Sequence, residues 1–126
     1  MPASSIAALA NIRQRMAVAA QRAGRNAEDV SLIAVTKTFG AEAIEPVLRD
    51  GQLHFGENRV QEAKSKWPAL RASFPKSQLH LIGPLQTNKV ADAVRLFDCL
   101  HTLDRASLAA ALRREFDKQG RDLTLF

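Results

Sequence analysis

The 126 residues carry eighteen Lys and Arg against thirteen Asp and Glu, a net charge of +5, with 46% apolar and 25% charged residues. That composition describes a globular chain able to bury a core, and no apolar run approaches the roughly 20 residues that cross a bilayer, so no membrane partner is expected. The basic residues are scattered rather than gathered into a stripe, which argues against nucleic acid and leaves a phosphorylated small molecule as the partner that suits the surplus. The single cysteine, Cys99, allows no internal disulfide, reads as a small buried apolar residue and fits a reducing, cytoplasmic setting.

Residues 1–25 read as a leading helix, with Ile6, Leu9, Met16 and Ala20 near helical spacing, Ser4 or Ser5 as cap and Gly24 as stop. Arg13, Arg15, Arg22 and Arg25 precede the first acid, Glu28, a composition shared with mitochondrial transit peptides. No unbroken apolar segment of a secretory signal is present, and an ordinary helix is the expectation.

Leu32 to Lys37 follows, an apolar run ending in a lysine. Strand alternation puts Ile33, Val35 and Lys37 on one face and Leu32, Ala34 and Thr36 on the other, so the spacing predicts a strand buried on both sides. A lysine at the dry end of such a strand would be desolvated, which disfavours the ammonium form and leaves a nucleophilic amine suited to Schiff-base chemistry. The plainer reading, that Lys37 ends the strand and reaches to water, stands beside it.

Ala41 to Asp50 reads as a helix closed by Gly51, with Pro46 expected to delay or bend its first turn. Gln52 to Gly56 is a second strand, and Arg59 to Trp67 a helix that Pro68 ends. Gln78 to Ile82 is a third strand, Asn88 to Leu96 a helix with Thr87 as cap, and Asp98 to Leu103 a fourth strand. Asp104 is expected to cap a helix over Arg105 to Lys118, stopped by Gly120, before Leu123 to Phe126 open a fifth strand.

Strands alternating with helices imply a parallel α/β sheet with right-handed crossovers, either doubly wound or a (β/α)₈ TIM-type barrel. Strand starts near 32, 52, 78, 98 and 122 repeat about every 22 residues, and eight such units would need roughly a hundred more. No glycine-rich phosphate loop follows the first strand, which counts against a nucleotide-binding sheet. The expectation is one incomplete barrel domain over 1–126, with the leading helix at 1–25 and β/α units over 32–126, truncated after about four.

Four segments fall at carboxyl ends of the expected strands, the active-site face of a barrel: Ala34 to Thr38; Phe55 to Asn58 with Val60-Gln61-Glu62; His80 to Lys89; and His101 to Asp104. Together and in this order they resemble the YggS-like pyridoxal phosphate homeostasis protein family. Its members carry an A-V-[ST]-K-T strand end, F-G-E-N followed by V-Q-E, H-x-I-G-P-L-Q-x-N-K, and H-[ST]-[IL]-D. The resemblance runs from about Leu32 to Asp104 and corresponds to the family's amino-terminal half.

The resemblance implies a barrel like the amino-terminal domain of alanine racemases and a fold-type III pyridoxal 5'-phosphate site. It implies an internal aldimine on Lys37, with Asn58 near the cofactor ring and Val35 and Ile82 as pocket walls. It also implies intracellular carriage and regulation of the cofactor without a catalytic residue. The family holds the phosphate through later segments, so 126 residues alone are expected to bind the cofactor weakly or not at all. The full-length form is expected to be a monomer, whereas a half barrel with an unpaired edge is expected to associate with itself.

The main alternative is a pyridoxal-dependent amino-acid racemase, which needs a second base, commonly tyrosine, and this chain has none. A class I aldolase would need a proton-transfer group beside its lysine, for which Glu57 is the obvious candidate. His54, His80 and His101 have no short ligand spacing, so a metal site is not expected; His80 and His101 read as hydrogen-bonded members of the barrel wall. Glu57 and Asp104 read as helix caps. Gln86, Asn88 and Lys89 either begin a helix or form a ligand surface on the rim.

Overall fold

The computed structural model describes residues 3–126. Five short parallel strands, β1 (Ile33–Val35), β2 (His54–Glu57), β3 (Gln78–Leu81), β4 (Cys99–Leu100) and β5 (Thr124–Leu125), form one sheet in their sequence order. Between them run α2 (Ala41–Arg49), α3 (Val60–Ser73), α4 (Val90–Leu96) and α5 (Ala106–Gln119), preceded by α1 (Ala3–Arg22). The strands are shorter than their apolar runs because the ladder stops where a residue's neighbours turn into loops, although single bonds such as Thr36 N–H to Gly56 O at 3.0 Å extend it.

Register fixes which side chains share a face. Val35 pairs with Gly56, Gly56 with His80, His80 with Cys99 and Cys99 with Thr124, so alternation separates this set from Ala34, Phe55, Leu79, Leu81, Leu100 and Leu125. The second set belongs to a single core with Ile44, Val47 and Leu48 of α2, Trp67 and Leu70 of α3, Val94 of α4, and Leu108 and Leu112 of α5. The helices thus cover one face of the sheet. Burying that face is the main source of stability, at about 25 cal/mol per Å² of apolar surface.

A doubly wound sheet needs a reversal of strand order to put helices on both faces, and the order 1-2-3-4-5 has none. The arrangement is α/β with a parallel, singly wound sheet. The expectation that β1 is buried on both sides is corrected: Ala34 and Thr36 are buried, whereas Val35 on the helix-free face is 40% exposed.

Two prolines are carried inside helices. Pro46 sits in the second half of α2, where Ile44, Val47 and Leu48 still bury one continuous stripe. The expected helix end at Pro68 is also overturned, because α3 runs to Ser73 and closes with Phe74 N–H on Leu70 O at 2.8 Å. Fully buried Ala63 and Trp67 on one side of the proline and Leu70 on the other anchor the same stripe, and their burial outweighs a proline penalty of about 3 kcal/mol.

Several expected caps are corrected as well. Ser4 and Ser5 lie inside α1, a 3₁₀ turn over Thr87–Lys89 replaces the start of the α4 helix, and Asp104 makes no capping bond because Arg105 occupies the cap position of α5. Asp104 pairs instead with Arg105 at 2.8 Å. Gly120 stops α5 as expected, in the left-handed region at φ 67°.

Candidate functional site

Beyond Thr36 the chain leaves the sheet in a turn closed by Phe39 N–H on Thr36 O at 3.1 Å, and Lys37 is the first residue inside it. Its side chain is exposed rather than dry, and it has no ion-pair partner among the described residues. The expectation of a desolvated lysine is therefore corrected: with half-exposed Val35 beneath it, the helix-free face at β1 stands open.

Gly56 occupies the middle of that face. A Cβ there would lie 3.0 Å from Ile33 Cγ2 and 3.2 Å from Ile82 Cδ1, so the missing side chain lets two isoleucines from flanking strands close over the bare backbone. Ile33, Gly56 and Ile82 make an apolar floor, with Val35 beside it. Asn58 follows β2 immediately, and its carbonyl is packed against the Cα of Gly83. Of the sequence-predicted site residues, Val35 and Ile82 share this floor's face, while Lys37 and Asn58 stand in the loops after β1 and β2.

On the covered face, directly beneath the Lys37 turn, lies a group that sequence reasoning assigned otherwise. Glu57 is not a helix cap. It is fully buried, and its Oε2 accepts from Thr36 Oγ1 at 2.5 Å and Trp67 Nε1 at 3.0 Å and faces Lys66 Nζ at 3.0 Å. Lys66 in turn donates to Thr36 O at 2.8 Å and Phe39 O at 2.7 Å. Glu62 accepts the Thr38 N–H at 2.5 Å. The signal was present in the alternation that sets Thr36 and Glu57 on one side, but Glu62 and Lys66 at i, i+4 look like an ordinary surface pair.

A chain of imidazoles crosses the helix-free face. His54 Nδ1 lies 3.0 Å from His80 Nε2, and His80 Nδ1 lies 2.9 Å from His101 Nε2, while the His101 ring stacks on Phe126 at 4.9 Å. Each step climbs two residues along the next strand, so the chain runs diagonally from the start of β2 to beyond β4. Burial, followed by the neighbouring His101 and His54, pushes the His80 pKa down to about 4 against a smaller opposing pull from Asp98. Neutral His80 has one N–H, so it donates at one nitrogen and accepts at the other. His54 joins the wall beside the two histidines expected there.

Cys99 sits half-buried on this face without a disulfide, its thiol pKa raised mainly by burial and then by Asp98. Asp98 itself accepts from Leu79 N–H at 2.8 Å and pairs with Arg71 at 2.9 Å. Gln86 and Lys89 of the rim motif line a cavity of about 530 Å³ with Asn58, Arg59, Gln61 and Pro84; Asn88 does not line it. Among the described residues no helix is long and apolar enough to cross a membrane.

No family model matches the chain. The chain is 41% identical over 105 residues to the pyridoxal phosphate homeostasis protein of Escherichia coli K12, covering 82% of this chain and 45% of that protein. It is 43% identical over 94 residues to the protein of the same name from Vibrio alginolyticus, covering 73% of this chain and 40% of the relative. Among solved structures, PipY of Synechococcus elongatus with PLP bound matches at 42% identity and a TM-score of 0.74, over 90% of this chain and 52% of that one. A structure from Bifidobacterium adolescentis, described as an unknown protein, reaches a TM-score of 0.84 at 29% identity over 92% of this chain and 51% of its own. The chain spans about half the length of the relatives it matches. By sequence identity and by fold, the chain is similar to about half of a pyridoxal phosphate homeostasis protein.

Proposed function

We propose that this chain binds pyridoxal 5'-phosphate at the carboxyl ends of β1 to β3 and holds it covalently through Lys37, in the service of cofactor homeostasis and without a committed substrate reaction. The observation that carries the reading is an exposed lysine, without an ion-pair partner among the described residues, in the turn that directly follows β1. Relatives named for pyridoxal phosphate homeostasis and a PipY structure with PLP bound support it.

The residues present fit the group. Ile33 and Ile82 meet over Gly56 in an apolar floor for an aromatic ring, Val35 lies on the same face, and Asn58 stands in the loop that follows β2. When bound, the cofactor supplies an aldehyde that reacts reversibly with amines. Lys37 would hold the group through its amine, the nucleophile that such an aldehyde takes. Lys66 does not compete, because its ammonium is buried and bound to Glu57 and two backbone carbonyls. The same sheet and loops, continued as a TIM-type barrel with a fold-type III site, are the setting this reading supplies. We place the protein in the cytoplasm, where an unpaired Cys99 stays reduced.

Borohydride reduction in the presence of saturating pyridoxal phosphate, followed by peptide mapping, tests the assignment even if affinity is low. The label is expected on Lys37 and is expected to vanish in Lys37→Ala with the melting temperature unchanged. Label spread evenly over Lys64, Lys76, Lys89 and Lys118 would overturn it.

A further inference from the structure

We propose that Glu62 and Lys66 are positioning residues for Lys37: together they hold the Thr36–Phe39 turn in a conformation it would not keep alone, and so fix where the amine stands. The inference rests on the assignment of Lys37 to the cofactor.

Thr38, the residue after Lys37, has φ 69°. A β-branched residue in the left-handed region is a genuine outlier, and it persists only where its surroundings over-determine it. Here they do. Glu62 Oε2 accepts the Thr38 N–H at 2.5 Å, and Lys66 Nζ gathers the carbonyls at both ends of the turn, Thr36 O at 2.8 Å and Phe39 O at 2.7 Å. An ammonium has three donors, and the third direction is taken by Glu57 Oε2 at 3.0 Å, with Glu62 Oε2 farther off at 3.4 Å. Glu57 is fixed in turn by Trp67 Nε1 and by the Thr36 hydroxyl, so the network closes on the strand end it supports.

Burying an ammonium costs desolvation that pairing only partly offsets. Had Lys66 served helix packing alone, a nonpolar side chain would fill its place. What its charge organises is the one turn that carries Lys37. Both ends of that turn are held from α3, and Lys37 is an exposed residue between them.

The test uses the intact chain and two readouts. In Glu62→Ala, hydrogen exchange at the Thr38 amide is expected to quicken at least about tenfold as the turn opens. The fraction of borohydride-trapped pyridoxal phosphate found on Lys37 is expected to fall several-fold, measured well below the melting temperature. Glu62→Gln keeps an acceptor oxygen and should restore both. Thr38→Gly added to Glu62→Ala should restore the labelling, because glycine takes positive φ freely. Lys66→Met, made together with Glu57→Gln so that no buried charge is orphaned, should behave as Glu62→Ala does.

Unchanged Thr38 exchange and unchanged labelling in Glu62→Ala would overturn the proposal. If the unmodified chain does not label at Lys37, the cofactor assignment fails, and the exchange measurement, which needs no cofactor, still decides whether Glu62 holds the turn.

Discussion

The Cα of Gly83 lies so close to Asn58 that a Cβ on it would stand 2.2 Å from the Asn58 carbonyl oxygen. The loops after β2 and β3 are therefore locked together through backbone, which cannot move aside as a side chain can. Gly83→Ala is expected to cost about 3 kcal/mol or more in urea unfolding, at the upper end of overpacking effects. Gly56→Ala meets only isoleucine methyls at 3.0 and 3.2 Å and should cost about 1 kcal/mol. Equal costs at the two sites would contradict this ranking.

The buried pair of Glu57 and Lys66 gives an asymmetric expectation. Lys66→Met alone strands a fully buried carboxylate whose Oε1 has no partner among the described residues, and should destabilise the fold by about 3–5 kcal/mol. Replacing both charges, as Glu57→Gln with Lys66→Met, should recover most of that loss. The difference between single and double variants, read from denaturant midpoints, checks it.

Trp67 separates packing from hydrogen bonding. It is fully buried against Phe55, ring centroids 5.1 Å apart, and donates to Glu57. Trp67→Phe keeps most of the volume but removes a donor to a buried carboxylate, for a loss of about 2 kcal/mol. Trp67→Ala should lose about 3–5 kcal/mol.

His80 makes stability depend on pH in a defined direction. Its folded pKa is lowered from 6.5 to about 4, so between those values the unfolded chain binds a proton that the folded one does not. Stability is then greatest above pH 6.5 and falls as pH drops toward 4, by on the order of 1–2 kcal/mol from this residue. His80→Asn is expected to flatten the profile in that window. An identical slope in the variant would contradict the assignment to His80.

Much of the architecture could be read from periodicity. Ile44, Val47 and Leu48 mark the buried stripe of α2, Gly120 ends α5, and the strand beat gave the parallel sheet. The passage of α3 through Pro68 could not be read, because it is decided by the burial of Trp67 and Leu70 against distant strands. Lys37 could be singled out because a lysine closing an apolar run is visible locally. Its exposure, the turn beneath it and the roles of Glu57 and Lys66 depend on which helix packs under which strand end. The histidine chain was equally hidden: its members lie more than twenty residues apart, and only the inter-strand register brings their rings within 3.0 Å.

Each strand pairs with the next one along the chain, through partners such as Ile33 with His54 and Cys99 with Thr124. Sheet formation therefore never has to close a loop much longer than about 25 residues, and every closure resembles the one before it. Each β/α unit therefore needs only the edge strand of its predecessor as a pairing partner, and the crossover helix that joins the two also covers their shared face.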